Sequence, residues 1–352
     1  MKKICITGGA GFIASHLTDH FCKEFPTAEI IVIDRMNYAA RREYLQPATS
    51  GKQVRLVETS ITNRVAMKRL LRGADLVVHS AAESHVDNSY RDVTPFLRNN
   101  VEGTVSLLQA AVDCDVEMFI HFSTDEVYGD CRENNATRQT LLNPTNPYSA
   151  SKAAAEMFVK CFATSYGLRT RVTRANNIYG TRQYPEKLIP KLICDALMGG
   201  TFQVHGRGTV QRSFLHVQDF CKAVSVILRS GTDGEIYNVP ALREYSVLEV
   251  VDMVAKAVGL PRDSFVTFGP DRPHNDSRYG IRGDGLRALG WAPERVLSDD
   301  IGGIVEWYRQ NLHLYAADLA PAIRTRQMVA GLQPSRPARP SGPTAQYAQF
   351  DS

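Results

Sequence analysis

No apolar run in this sequence approaches the roughly 18 residues that a membrane helix needs, so no membrane span is expected. Cysteine is sparse and unpaired in spacing: the 7 residues Cys5, Cys22, Cys114, Cys131, Cys161, Cys194 and Cys221 form no CxxC pair. An odd set of scattered cysteines in mostly apolar stretches argues against a disulfide framework and reads as free thiols in a reducing compartment. A strong charge of one sign is missing too, because 41 Lys and Arg against 37 Asp and Glu leave a net +4. Arg324, Arg326, Arg336 and Arg339 crowd the C-terminal end, and nothing forms the basic stripe that a nucleic-acid binder uses. Met1-Lys2-Lys3 runs straight into a strand-like segment, so no signal peptide is expected here. Neither nucleic acid nor membrane is expected as a partner, no metal site is expected, and the chain reads as cytoplasmic.

What is present is an ordinary globular composition, 43% hydrophobic and 22% charged over 352 residues, with ample material for a core. Short apolar runs at Ile4–Thr7, Glu29–Asp34, Val54–Val57, Leu76–His79 and Glu117–Ser123 read as strands. They alternate with helical stretches at Phe12–Glu24 and Asn100–Ala111. Strands apolar on both faces and separated by helices indicate a parallel sheet covered on each side. The expected fold class is therefore α/β, a Rossmann-type doubly wound parallel sheet with a smaller C-terminal lobe. Residues 1–175 form the nucleotide-binding part, with sheet elements returning around 209–245, and 176–318 form the interleaved lobe. Ser246–Val258 reads as an amphipathic helix capped by Ser246. The Pro-, Ser- and Arg-rich stretch 332–352 reads as a disordered tail.

Thr7-Gly8-Gly9-Ala10-Gly11-Phe12-Ile13-Ala14 follows the first strand and opens the first helix. Gly8 and Gly11 let the backbone turn tightly and bring helix N–H groups to a pyrophosphate. Asp34 ends the second strand, where a carboxylate accepts hydrogen bonds from the adenosine ribose and repels a 2′-phosphate, favouring NAD over NADP. Tyr148-Ser-Ala-Ser-Lys152 puts a phenol and an ammonium on one helix face. The lysine charge is expected to lower the phenol pKa from about 10 and make it a usable base.

The glycine-rich turn, Asp34, Thr124, Tyr148 and Lys152 together resemble the extended short-chain dehydrogenase/reductase family. Ser123-Thr124-Asp125-Glu126-Val127-Tyr128-Gly129 is similar to the signature of its nucleotide-sugar 4,6-dehydratases. The resemblance runs over roughly residues 1–315 and implies NAD as cofactor. Thr124, Asp125, Glu126, Tyr148 and Lys152 would be catalytic: Tyr148 the oxidation base, Glu126 the C5 base, Asp125 the acid, and Thr124 the sugar O4 ligand. NAD contacts would come from Gly8, Gly11, Phe12, Ile13, Asp34, Arg35, Asn37, Ser60, Ile61, Ser80, Ala81, Ala82, Ser84, Asn99, Tyr148 and Lys152. The substrate would be held by Ser84, Thr124, Asn177, Lys187, Leu188, Gln203, His205, Arg212, Arg272 and Asn275. Adjacent residues on a straight strand face opposite ways, so both carboxyls reach one ligand only if the chain turns after Thr124.

Some positions depart from the family pattern. Glu58-Thr59-Ser60-Ile61 stands where Gly-Asp-Ile is usual, and Asn99, Thr181 and Pro240 replace commoner residues. Phe12-Ile13-Ala14-Ser15-His16, His205-Gly206 and Trp307-Tyr308 are similar to the dehydratase part of plant and fungal rhamnose synthases, which implies UDP-glucose ahead of dTDP-glucose. The alternatives are a sister 4-epimerase, a UDP-glucuronate decarboxylase, or a sensing protein that keeps the fold without turnover. The family also implies a homodimer formed through helices near 91–113 and 148–167.

Overall fold

A computed structural model describes residues 1–319 apart from Ser50, Lys52 and residues 272–275. Two residues expected at the substrate, Arg272 and Asn275, and the expected tail at 332–352 thus lie outside the described residues. Seven strands form the main sheet: β1 (Lys3–Thr7), β2 (Glu29–Asp34), β3 (Val54–Glu58), β4 (Leu76–His79), β5 (Met118–Thr124), β6 (Thr170–Ala175) and β10 (Ile236–Val239). Their order is β3-β2-β1-β4-β5-β6-β10, and every pairing is parallel. The strand side chains alternate between two cores. Ile4, Ile6, Ile30 and Val32 pack with Leu17, Phe21 and Phe220 of the helices Phe12–Glu24 and Val217–Ser230. Cys5, Ile31 and Ile33 pack on the other face with Met67, Leu107 and Val159 of the helices Arg64–Leu71, Gly103–Asp113 and Pro147–Tyr166. This is the period-2 pattern of a sheet buried on both sides.

The expected boundaries hold for the first helix and for β2 and β4, and shift by a residue or so in β1, β3 and β5. The helix expected at Asn100–Ala111 enters through a wider π-helical turn, Leu97–Glu102. From the 209–245 stretch, only β10 joins the main sheet. β6 already has β5 on one side and β10 on the other, so β9 (Gln211–His216) pairs instead with β7 (Asn177–Tyr179) and β11 (Glu244–Ser246). A two-stranded sheet of β8 (Phe202–His205) and β12 (Val266–Gly269) completes the strands. A third core, containing Ile193, Val250, Val251, Ile304 and Tyr308, holds the helices Leu188–Leu197, Val247–Val258 and Leu297–Asn311 around these small sheets. Ser246 caps the second of these, in a reciprocal box with Glu249. All seven cysteines are free thiols.

The sheet reverses its direction of growth between β1 and β4, and a crevice opens there at the carboxyl ends of the strands. The short turn Asp125–Tyr128 after β5 is braced from below. Arg174 on β6 makes three buried contacts to the Glu156 carboxylate, at 2.6–3.1 Å, and donates to Tyr128 Oη at 2.7 Å. Its guanidinium also lies 4.7 Å from the Tyr128 ring centre. Arg174 and Glu156 are each about 2% exposed. Breaking such a pair leaves an uncompensated charge, which costs about 3–5 kcal/mol. Glu156→Ala is therefore expected to destabilise the fold by about that much in denaturant titrations, whereas replacing both members by apolar residues of similar volume should cost far less.

Candidate active site

The loop after β1 is built for close approach. Gly8 has φ +67°, and a Cβ there would lie 2.7 Å from the Ala81 backbone after β4. The helix that follows starts at Gly11 with no side-chain cap and no acid in its first turn, which suits an anion at its N-terminus. Asp34, at the end of β2, accepts Ala10 N–H at 3.1 Å and Met36 N–H at 2.8 Å. Burial pushes its carboxyl above the usual range. Arg35 is engaged rather than presented to a 2′-phosphate: it donates to Asn99 Oδ1 at 2.8 Å and pairs with Glu83. A helix N-terminus facing a glycine-lined groove, with a carboxylate at the end of β2, fits a dinucleotide.

These residues open onto one cleft of about 490 Å³. Every expected cofactor residue lines it, as do the expected substrate residues Ser84, Thr124, Asn177, Lys187, Leu188, Gln203, His205 and Arg212. Glu126, Tyr148 and Lys152 line it too. Lys187 reaches across to the Ser84 carbonyl. The Arg212 guanidinium donates to the carbonyls of Gln211 and Asp276, each at 2.8 Å, and stacks 4.8 Å from the Tyr279 ring centre.

The chain does turn after Thr124. Thr124 Oγ1 accepts Glu126 N–H at 3.3 Å and starts a 3₁₀ turn over Asp125–Tyr128. Gly129 closes the turn at φ +74°, where a Cβ would lie 2.3 Å from the Asn143 carbonyl oxygen. The two carboxyls enter different surroundings. Asp125 is buried behind the cleft wall, accepting Thr124 Oγ1–H at 3.1 Å and Asn176 Nδ2–H at 2.7 Å. Glu126 faces the cleft and accepts Asn146 Nδ2–H at 3.1 Å. Burial, then the Glu126 charge, pushes Asp125 up to about 7. Burial also raises Glu126, while Lys187, Asn146 and Arg212 favour its ionised form.

One expectation fails here. The Tyr148 phenol is pushed up, not down, first by burial and then by the Glu126 charge, with Asp125 adding to it. Lys152 donates its ammonium to the Phe122 carbonyl at 2.6 Å, and burial lowers it to about 8. The i, i+4 spacing put both groups on one face, but not the charge on the phenol.

Sequence reasoning also passed over Asn146 and assigned nothing to Asn176. Asn146 caps the helix carrying Tyr148, in a reciprocal box with Ser149, and holds Glu126 with its other end. The Asn-Pro-Tyr order, with proline at the first helical position, was the available signal. Asn176 follows β6 and accepts Ala241 N–H on its Oδ1 at 2.9 Å, so its amide nitrogen must face Asp125.

Residues 4–240 match the model of the NAD dependent epimerase/dehydratase family. A trifunctional UDP-glucose 4,6-dehydratase of Arabidopsis thaliana is 39% identical over 316 residues, covering 88% of this chain and 48% of that protein. The chain thus spans about half the length of that relative. The dTDP-D-glucose 4,6-dehydratase of Mus musculus is 37% identical over 319 residues, covering 89% of this chain and 90% of that one. The crystal structure of the Streptomyces venezuelae dTDP-glucose 4,6-dehydratase, with NAD bound, superposes with a TM-score of 0.85 at 38% identity, covering 88% of this chain and 97% of that chain.

Because the Glu126 charge is the second-largest cause raising Asp125, Glu126→Gln should lower the Asp125 titration below the value of about 7 in the parent. Carboxyl ¹³C NMR across a pH series reads this directly, and an unchanged Asp125 midpoint would show that burial alone sets it.

Proposed function

Since the chain belongs to the NAD dependent epimerase/dehydratase family, we propose that it is a nucleoside-diphosphoglucose 4,6-dehydratase working with bound NAD. UDP-glucose is preferred to dTDP-glucose, and the 4-keto-6-deoxy product feeds rhamnose or another deoxysugar. The observation that carries this reading is the Asp125–Glu126 pair, turned at the end of β5 beside Tyr148 and Lys152 and given unequal environments. A 4-epimerase or a uronate decarboxylase has no use for an acid and a base at C6 and C5.

Bound NAD would supply the hydride acceptor for C4 and the hydride donor for C6. Gly8, Gly11 and the first helix turn would hold its pyrophosphate and Asp34 its ribose. Tyr148 takes the 4-hydroxyl proton, with Thr124 on O4, and the Lys152 ammonium, charged below about 8 and held by the Phe122 carbonyl, stands on the same helix face. The ketone so formed acidifies C5–H, which Glu126 removes. Asp125 gives its proton to the departing 6-hydroxyl, which leaves as water. Asp125 keeps that proton below about 7 and loses it above, so the dehydration step should slow as pH rises through that point. Two carboxyls in one site serve as acid and base only when their environments hold them apart.

Ser84, Asn177, Lys187, Leu188, Gln203, His205 and Arg212 then take the nucleotide sugar, with Arg212 at a phosphate. Residues 1–175 act as the cofactor half and 176–318 as the interleaved substrate half, and the free thiols suit a cytoplasmic setting. A second copy completes the assembly. Val93 and Leu97, and Met157, Phe158 and Tyr166 on the Pro147–Tyr166 helix, are exposed on adjacent elements that a partner's same helices would cover. Among the described residues, no helix is long and apolar enough to cross a membrane.

Incubated with UDP-glucose, the protein should yield an alkali-induced 4-keto absorbance without net NADH. The dTDP sugar should follow more slowly, by about 10–200-fold at most, since one methyl discriminates weakly. Asp125→Asn and Glu126→Gln should each slow turnover about 10²–10⁴-fold. In deuterated water Asp125→Asn should still exchange the C5 proton, Glu126→Gln should not, and Tyr148→Phe should stop before the ketone. Near-normal turnover in both carboxyl variants, or no ketone from either sugar, would refute the dehydratase and favour an epimerase or a sensor. Sedimentation at micromolar concentration should give a dimer that Leu97→Asp with Met157→Asp converts to monomer.

A further inference from the structure

One buried carboxylate at the edge of the cleft has no part in the reaction just described. Asp276 is about 3% exposed and lines the cleft wall. Its Oδ2 accepts two hydroxyls, Thr145 Oγ1–H and, at 2.7 Å, Tyr279 Oη–H. Each donor begins a short route to one member of the acid–base pair. Thr145 is covalently followed by Asn146, whose Nδ2 donates to Glu126 Oε2 at 3.1 Å. Tyr279 accepts Asn176 Nδ2–H on its carbonyl at 3.0 Å, and the same nitrogen donates to Asp125 Oδ2 at 2.7 Å. Arg212 holds the other side of this bracket, through the Asp276 carbonyl at 2.8 Å and the Tyr279 ring face.

We propose that Asp276 is a positioning residue that sets both carboxyls from one point, tying Glu126 through Thr145–Asn146 and Asp125 through Tyr279–Asn176. The inference rests on the dehydratase reading. A carboxylate oxygen takes two hydroxyl donors at once, which a buried polar group needs in order to be tolerated there. Because Arg212 grips the same segment, a phosphate arriving at its guanidinium reaches the acid–base pair through Asp276 and Tyr279. Binding far from C5 and C6 is thereby converted into placement at C5 and C6, the kind of coupling in which a displacement of about 1 Å costs on the order of 10²-fold. The oxidation at C4 depends on Tyr148 and Lys152, which the bracket reaches only through the helix cap.

The test compares Asp276→Asn, Thr145→Val and Tyr279→Phe with the parent, each loaded with UDP-glucose in deuterated water. Asp276→Asn should lose on the order of 10²-fold in kcat with KM little changed and with C5 deuterium uptake slowed in step. Thr145→Val should slow C5 uptake while leaving the Asp125 titration in place. Tyr279→Phe should shift the Asp125 carboxyl ¹³C titration and slow water loss while C5 uptake persists. The two hydroxyl variants keep Asp276 itself, so they decide the matter even if Asp276→Asn folds poorly. A normal kcat in Asp276→Asn, a loss confined to KM, or equal losses in every step of all three variants would overturn the proposal. If the parent forms no ketone at all, the reaction reading falls and this inference with it; a parent that turns over while the variants behave normally overturns only the inference.

Discussion

Two carboxyl groups on adjacent residues repel each other when both are charged, and burial of both strengthens that repulsion. The chain meets this constraint by separating the pair in environment rather than in sequence. The 3₁₀ turn after β5 sends Asp125 behind the wall, onto Asn176 and Thr124, and leaves Glu126 among Lys187, Arg212 and Asn146. The surrounding architecture serves this separation. Gly129 permits the turn, the buried Arg174–Glu156 pair braces Tyr128 beneath it, and the cap of the Pro147–Tyr166 helix supplies the amide that orients Glu126.

The elements that could be read from the sequence are those set by short-range rules. Strands apolar on both faces announced a covered parallel sheet. Gly8, Gly11 and Asp34 announced a dinucleotide groove, because no other residue types allow a backbone that close beside a carboxylate at a strand end. The lining of the cleft by Tyr148, Lys152, Glu126 and Arg212 followed from motif positions. What could not be read depended on partners distant in the chain. Whether β9 joins the main sheet is settled by β6 having both edges taken, one of them by β10 some sixty residues later. The direction of the Tyr148 shift is settled by burial first and the Glu126 charge next, while Lys152 spends its hydrogen bond on Phe122. The roles of Asn146 and Asn176 depend on which neighbour each amide end meets, and only the fold specifies that.

Three of the departures from the family pattern have local accounts. Asn99, in place of a threonine, accepts from Arg35 and donates to the Pro95 carbonyl, so it steadies the wider helical turn at Leu97–Glu102 as well as the groove edge. Ser60 bonds Thr62 within the loop after β3, a tight local turn where the family carries an acid. Thr181 sets its hydroxyl 3.4 Å from His16 Nε2, beside the backbone carbonyl that the same nitrogen meets at 3.0 Å, and so joins the loop after β7 to the first helix. In each case the substituted residue closes a bond that fixes a loop flanking the cleft.

The return of β10 to the main sheet bears on how such a cleft can open. The chain leaves the large sheet after β6, comes back for the Val217–Ser230 helix and β10, departs again at β11, and returns once more to bury Leu286 and Trp291 in the first core. Two lobes stitched together by that many covalent passes have no single hinge about which to swing, since a rotation at one crossing would have to be matched at all the others. Access to the cleft must therefore come from its rim loops, chiefly 181–187, which carries Gln183, Tyr184 and Lys187 of the lining. The pace of entry and exit would then be set by a few side-chain bonds at the rim, and engineering that pace means editing loops and leaving the lobes as they are.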